Sequence, residues 1–282
     1  MDISSFASVA DKYRVIFFDS YGVLRNHRGL IPGAVECVDR LRAQGKVIRV
    51  LTNNAARSSS AASRRLAHYG LTSIPPEEII TSGATTRQFL EQKIRTGKVA
   101  YLGTPAAAEY IIGAGLEAVP ISEVNLDDPS DIKAIAFLDD EGYDLNTDIN
   151  RVINLLRRCP VPVVVANTDL LYPVAANDVA LATGSIARLA EYVLGRKFVK
   201  FGKPAMQMFQ LGYDNVSREI NNVALHDILM VGDTLHTDIL GGNSFGIDTA
   251  LVLSGNTRKE TVNSEIIASG IFPDYLCTSI GE

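Results

Sequence analysis

Three short runs along the chain are almost wholly apolar and show no alternation: Val15-Ile16-Phe17-Phe18, Val47-Ile48-Arg49-Val50-Leu51 and Ile228-Leu229-Met230-Val231. Such runs read as strands buried on both faces, the pattern of a parallel sheet covered by helices. The stretches that follow change period. After a loop containing Pro32-Gly33, apolar residues at Val35, Val38 and Leu41 recur at helical spacing, and Gly45 stands where a helix C-terminus favours glycine. Ser58 to Tyr69 reads as a second helix, opened by serines and ended by Gly70, and a third begins near Leu235 ahead of a strand over Thr249 to Leu253. Strand and helix in alternation imply parallel strands joined by right-handed crossovers. A separate β/α rhythm fills the middle, with strands expected over Val99–Leu102, Ala134–Leu138 and Pro162–Ala166 and helices over Asp148–Leu156 and Ser185–Leu194. The expected architecture is therefore a doubly wound parallel α/β core, residues 1–82 and 201–282, interrupted by an inserted α/β domain, residues 83–200.

The composition narrows the class of protein. With 282 residues, two domains are the natural division, and 46% hydrophobic with 21% charged residues is ordinary for a globular enzyme. The net charge of −5 makes nucleic acid a poor partner. No apolar stretch approaches a membrane span; Val161 to Ala166 is among the longest, and the first residues carry neither a basic flank nor an apolar run. Cys37, Cys159 and Cys277 are too widely spaced for a metal knuckle or a disulfide framework, which fits a reducing compartment. A soluble, cytoplasmic protein is the expectation.

Four polar pieces stand where predicted strands end, the edge at which open α/β sheets place their sites. Asp19 follows the first strand directly. It can be a nucleophile, a metal ligand or a loop cap. Thr52-Asn53-Asn54 follows the second strand and offers groups that bind phosphoryl oxygens, although the same residues form turns. Gly202-Lys203-Pro204 precedes a predicted helix with Pro204 at its first position. A cation at a helix start gains from a nearby anion. Asp233 and Asp238, in Gly232-Asp233-Thr234-Leu235-His236-Thr237-Asp238, put one carboxylate at a strand end and another in a first helical turn. That spacing suits Mg²⁺, or an N-cap with an acidic first turn.

Taken in this order, the four pieces resemble the haloacid dehalogenase superfamily of phosphotransferases, and in detail its NagD-like class IIA branch. The matching residues are Asp19 with Gly22-Val23-Leu24, Ile31-Pro32-Gly33-Ala34, Leu51-Thr52-Asn53-Asn54, Gly202-Lys203-Pro204, and Val231-Gly232-Asp233 with Thr237-Asp238-Ile239. Ala166-Asn167-Thr168-Asp169 and Gly184-Ser185 resemble landmarks of the cap domain that this branch carries. The resemblance implies a cap over the core's C-terminal edge and a small phosphomonoester as substrate, sugar phosphates among the candidates. It implies that Asp19 attacks phosphorus, forming an aspartyl-phosphate. Thr52, Asn53 and Lys203 would hold the phosphoryl oxygens, with Asn54 beside them; Asn167, Asp169 and Tyr172 are candidate substrate contacts because they follow a strand of the inserted domain, although loop residues of this kind are just as often turn formers. Mg²⁺ would sit on the carboxylates of Asp19 and Asp233 and the backbone carbonyl of Tyr21, with Asp238 bound or close. A homodimer formed through the cap is compatible with the branch.

One position departs from the pattern. Phosphatases of this superfamily carry a second aspartate two residues after the nucleophile, as acid and then base; here that position is Tyr21. General acid–base help is worth ~10²–10⁴-fold, and a tyrosine with an ordinary pKa of about 10 is a poor base at neutral pH. Alkyl phosphates should suffer more than aryl or acyl phosphates. Three readings follow: a phosphatase that uses another group such as His27 or favours good leaving groups, a phosphate-binding protein with little or no turnover, or a haloacid dehalogenase-type hydrolase. The 2-haloacid dehalogenases of this superfamily also carry tyrosine at this position, but they look metal-free, and the presence of Asp233 and Asp238 argues against that reading.

Overall fold

The computed structural model describes residues 1–175 and 178–282. Eleven strands form its two main sheets: β1 (Val15–Phe18), β2 (Val47–Thr52), β3 (Ile79–Thr81), β4 (Lys98–Leu102), β5 (Glu117–Pro120), β6 (Ile132–Phe137), β7 (Val163–Val165), β8 (Val199–Lys200), β9 (Ile228–Gly232), β10 (Asp248–Val252) and β11 (Tyr275–Cys277). Two short antiparallel ribbons accompany them, Arg25–Asn26 with Gly29–Leu30 and Leu171–Pro173 with Val179–Leu181. The chain divides into two compact units. The first comprises residues 1–52, 59–80 and 203–282, the second residues 53–58 and 81–202. The fold is the mixed α/β arrangement expected from the alternating pattern.

The sheet of the first unit runs β11-β10-β9-β1-β2-β3, and β1 pairs in parallel with both β9 and β2. The runs without alternation are explained by two cores, one on each face. Ile16, Phe18, Ile48, Val50, Leu229 and Val231 face one core, together with Val38 and Leu41 of the helix Ala34–Ala43. Val15, Phe17, Leu51, Ile228 and Met230 face the other, against Met208, Phe209 and Val216 of the helix Met206–Ser217. Arg49 breaks the apolar run and is itself buried. It donates to the Ile48 carbonyl (2.7 Å) and the Asn215 side chain (2.5 Å) and pairs with Glu219, so its donors are satisfied inside the packing.

The second unit has its own parallel sheet, β8-β7-β6-β4-β5. Its faces are again covered on both sides: Leu102, Ile135, Phe137 and Val165 pack with the helices Leu145–Arg158 and Thr183–Leu194, and Val99, Ala134, Ala136 and Val164 pack on the opposite face with Leu90 and Ile111. Asp144 caps the longer helix by accepting from the Thr147 N–H at 2.6 Å. Among the described residues, no helix is long and apolar enough to cross a membrane.

Candidate active site

In the first sheet, the chain leaves β1 toward β2 on one side and returns through β9 on the other, which makes the β1–β9 junction a topological switch point. The Asp19 N–H continues the ladder by donating to the Val231 carbonyl at 2.9 Å. Asp19 and Asp233 thereby leave neighbouring strands side by side. Asp238 lies one turn further on, in the π-helical turn Leu235–Ile239. One carboxylate oxygen from each of Asp19, Asp233 and Asp238 lies within 4.8 Å of the other two. Gly22 and Gly255 make this crowding possible. A Cβ on Gly22 would stand 2.0 Å from Asp233 Oδ2 and one on Gly255 1.9 Å from it, so only hydrogen fits at either place.

Lys203 is the cation of the cluster. Its Nζ donates to Asp19 Oδ1 and to Asp238 Oδ1, each at 2.6 Å. Burial alone would lower its pKa, but the two carboxylates outweigh burial and hold the ammonium above its ordinary value. The sequence pattern places Pro204 at the first position of a helix. The helix instead starts at Met206, with Ala205 at its N-cap, so Lys203 sits in the connection ahead of it, reaching the carboxylates rather than a helix end. Met208, Phe209 and Val216 of that helix pack into the second core.

Asp233 is held by a loop that the motif reading passed over. Its Oδ2 accepts from the Asn256 N–H at 2.7 Å, its Oδ1 from the Thr234 hydroxyl at 2.9 Å, and its backbone carbonyl from the Thr257 hydroxyl at 2.7 Å. The available signal was Ser254-Gly255-Asn256-Thr257 directly after a strand, a glycine among small polar residues. Burial, with Asp19 and Asp238 nearby, pushes the Asp233 carboxyl well above the usual carboxylate range. Asp238 Oδ2 accepts from the Thr234 N–H at 3.1 Å. Three carboxylates with one lysine leave an excess of negative charge, and their hard oxygen donors are the kind that hold a divalent cation.

Tyr21 does not occupy the position as an isolated phenol. Its ring lies 5.0 Å from the Arg25 guanidinium, and the His27 backbone hydrogen-bonds its hydroxyl. Burial raises the Tyr21 pKa, and Arg25 and Arg65 offset only part of that rise. Thr52 ends β2, the strand beside β1. The remaining expected substrate contacts belong to the second unit. Asn53 Nδ2 donates to Asp169 Oδ1 at 2.8 Å and to the Thr168 hydroxyl at 3.3 Å, and Asn167 Oδ1 accepts from the Asp169 N–H at 2.9 Å. Asn54 closes a local turn, accepting from the Ala56 N–H at 3.1 Å. Tyr172 lies in the ribbon Leu171–Pro173 beside Asp140.

Residues 16–117 match the profile of haloacid dehalogenase-like hydrolases, and residues 200–282 a second profile, of HAD-hydrolase-like sequences. A crystal structure of a possible sugar phosphatase of the HAD superfamily from Cytophaga hutchinsonii is 44% identical, covering 100% of this chain and 99% of that one, with a TM-score of 0.96. The chain belongs to the haloacid dehalogenase-like hydrolases. Chronophin of Rattus norvegicus is 30% identical over 95% of this chain and 85% of its own. The p-nitrophenyl phosphatase of Archaeoglobus fulgidus is 25% identical, covering 96% and 97% of the two chains, with a TM-score of 0.80. These relatives place this haloacid dehalogenase-like hydrolase with the NagD-like phosphatases of the superfamily, as the motifs imply.

Proposed function

We propose that this phosphatase hydrolyses small phosphomonoesters through an aspartyl-phosphate on Asp19, with Mg²⁺ as cofactor, and that sugar phosphates are among its substrates. The observation that carries the reading is Lys203 Nζ at 2.6 Å from both Asp19 and Asp238, within three carboxylates whose oxygens lie within 4.8 Å of one another. An Asp19 oxygen attacks phosphorus, the bond to the leaving oxygen breaks, and water then attacks the same phosphorus to free phosphate and restore Asp19. Lys203 orients the attacking carboxylate and offsets charge that gathers on the phosphoryl oxygens. Thr52, at the end of the adjacent strand, is the hydroxyl for one of those oxygens, with Asn53 and Asn54 following it in the chain.

The carboxylate set fits Mg²⁺. Asp233 and Asp238 are buried, the cluster is short of positive charge, and Gly22 and Gly255 leave no side chain in the way. Asp19, Asp233 and the Tyr21 carbonyl would hold the ion with Asp238 beside them, and when bound it would offset the negative charge of the carboxylates and the phosphoryl group. The sugar-phosphate reading is supported by the Cytophaga relative.

Tyr21 limits the chemistry. A phenol raised above its ordinary value and covered by Arg25 is a poor general base. The reading therefore favours substrates whose leaving oxygen departs readily. The test is hydrolysis of p-nitrophenyl phosphate with Mg²⁺ and with EDTA, for wild type beside Asp19→Asn. Metal-dependent turnover that disappears in Asp19→Asn is expected. Phosphate binding without turnover in the wild type would instead mark a binding protein, and EDTA-resistant halide release from a 2-haloacid would mark a dehalogenase.

A further inference from the structure

Two half-buried arginines, Arg25 and Arg65, act on the Tyr21 side chain two residues after the nucleophile. Arg25 opens the ribbon that follows Asp19, is half-buried, and stacks on the Tyr21 ring at 5.0 Å. Arg65, half-buried on the helix Ser59–His68, approaches closely enough to act on both Arg25 and Tyr21. Among the described residues, neither side chain makes an ion pair or hydrogen bond, whereas the buried Arg49 has its carboxylate in Glu219 and Arg42 has Glu78. The neighbouring sequence offers nothing to offset them: neither Ser20–Arg28 nor Ser59–His68 contains an aspartate or glutamate. Asp19 attracts Arg25, but Asp19 Oδ1 is already engaged by Lys203.

Such an arrangement costs stability unless an anion joins it, and a guanidinium offers a planar fork that fits carboxylate or phosphate. We propose that Arg25 and Arg65 form a subsite for a second anionic group of the substrate, so that the preferred phosphomonoesters carry a carboxylate or a further phosphate besides the one removed. The inference rests on the phosphatase reading above and names the substrate class of the same site. It also accounts for two neighbouring residues at once. The Tyr21 ring gives the Arg25 guanidinium a flat face to stack on, which an aspartate at that position could not do.

The test compares kcat/KM within matched pairs, in Mg²⁺ and at fixed ionic strength. 3-Phosphoglycerate is set against glycerol 3-phosphate for a carboxylate, and glucose 1,6-bisphosphate against glucose 6-phosphate for a phosphate. Wild type is expected to prefer the doubly anionic member of at least one pair by about tenfold or more, the factor typical of a charge-assisted contact. A preference in one pair names that anion; a preference in both means the subsite reads charge. Arg25→Met and Arg65→Gln should each collapse the preference, mainly through KM, and Arg25→Lys should restore part of it. Absence of preference in both pairs would overturn the proposal. So would an equal loss on all four substrates in both variants, which would assign the arginines to the transferred phosphoryl group or to the fold. Wild type that fails on p-nitrophenyl phosphate sinks the phosphatase reading itself, whereas wild type that hydrolyses it without preference sinks the subsite alone.

Discussion

Replacing Lys203 by methionine keeps most of the side-chain volume and removes the cation that, among the described residues, is bonded into the carboxylate cluster. Two contacts of 2.6 Å are lost, at a side chain 2% exposed, facing carboxylates 13% and 1% exposed. Breaking a buried pair by deleting one partner costs about 3–5 kcal/mol. A second estimate comes from the relief available to the variant, which is to bind a proton on one carboxylate. With an ordinary carboxylate pKa near 4, protonation at pH 7 costs roughly three units at 1.36 kcal/mol each, or about 4 kcal/mol. The two routes agree, so the metal-free variant should lose about 3–4 kcal/mol at pH 7. The pH dependence has a definite sign. The native variant binds one proton more than native wild type, in which Asp233 is already pushed up, so its stability falls relative to wild type as pH rises. The deficit should therefore shrink by about 1.4 kcal/mol for each unit from pH 7 toward pH 5. Native-state hydrogen exchange of β1 and β9 amides in EDTA measures the first unit's stability directly. A deficit under about 1 kcal/mol at pH 7, or one that does not change with pH, would refute the electrostatic account of this cluster.

Tyr21→Asp should raise turnover of an alkyl phosphate, by up to the ~10²–10⁴-fold that acid–base help supplies, and raise aryl phosphate turnover much less; no gain on a glycerol phosphate would show that the missing acid is not what limits the rate. Gly255→Ala places a methyl 1.9 Å from Asp233 Oδ2, so metal-dependent hydrolysis of p-nitrophenyl phosphate should fall by more than about 100-fold while far-UV circular dichroism stays unchanged. In the second unit, burial raises the Glu191 carboxyl, but Lys200 at 2.7 Å and the Phe198 N–H outweigh it and hold the pKa below its ordinary value. The wild-type contribution is thus present above the unfolded carboxylate range and lost only as pH falls through the lower folded value. Lys200→Met should weaken amide protection in the helix Thr183–Leu194 by about 1–2 kcal/mol at pH 7, and the deficit should hold down to about pH 5 and narrow only as pH falls below the ordinary carboxylate range near 4.

The core strands are legible because burial on both faces suppresses alternation: the apolar run Val15–Phe18 has the bounds of the strand, and the runs at 47 and 228 each extend one residue further in the structure. The helix Ser82–Lys93 left no comparable mark, since four of its five buried positions, Ser82, Gly83, Thr85 and Thr86, are small or polar and Leu90 alone makes no apolar periodicity. Asp19 and Asp233 at strand ends, Lys203 ahead of a helix and Asp238 in a first helical turn were legible in combination rather than singly, and the structure brings all four together. What escaped was the support around them. Asn256 and Thr257 act on Asp233 through backbone and hydroxyl groups, and such contacts leave no charge pattern in a sequence. Arg25 and Arg65 escaped because their nearness depends on how a ribbon and a helix pack, and forty residues of chain separate them. Pro204 was placed one element too late for a general reason: proline favours the first helical turn, but it equally favours the connection before one.

The order of strands in the first sheet also governs when this enzyme can exist. β1 lies between β2, made soon after it, and β9, which is separated from it by more than two hundred residues of chain, so Asp19 meets Lys203 across 184 positions. During synthesis the amino-terminal half can pair β1 with β2 and the second unit can complete its own sheet, while Asp19 still lacks every partner that gives it chemistry. The cluster closes only after the Ser254–Thr257 loop has emerged, within the last thirty residues. A nascent or carboxy-terminally clipped chain is therefore expected to be silent rather than partly active, and until then the open edge of β1 is the surface a chaperone would need to shield.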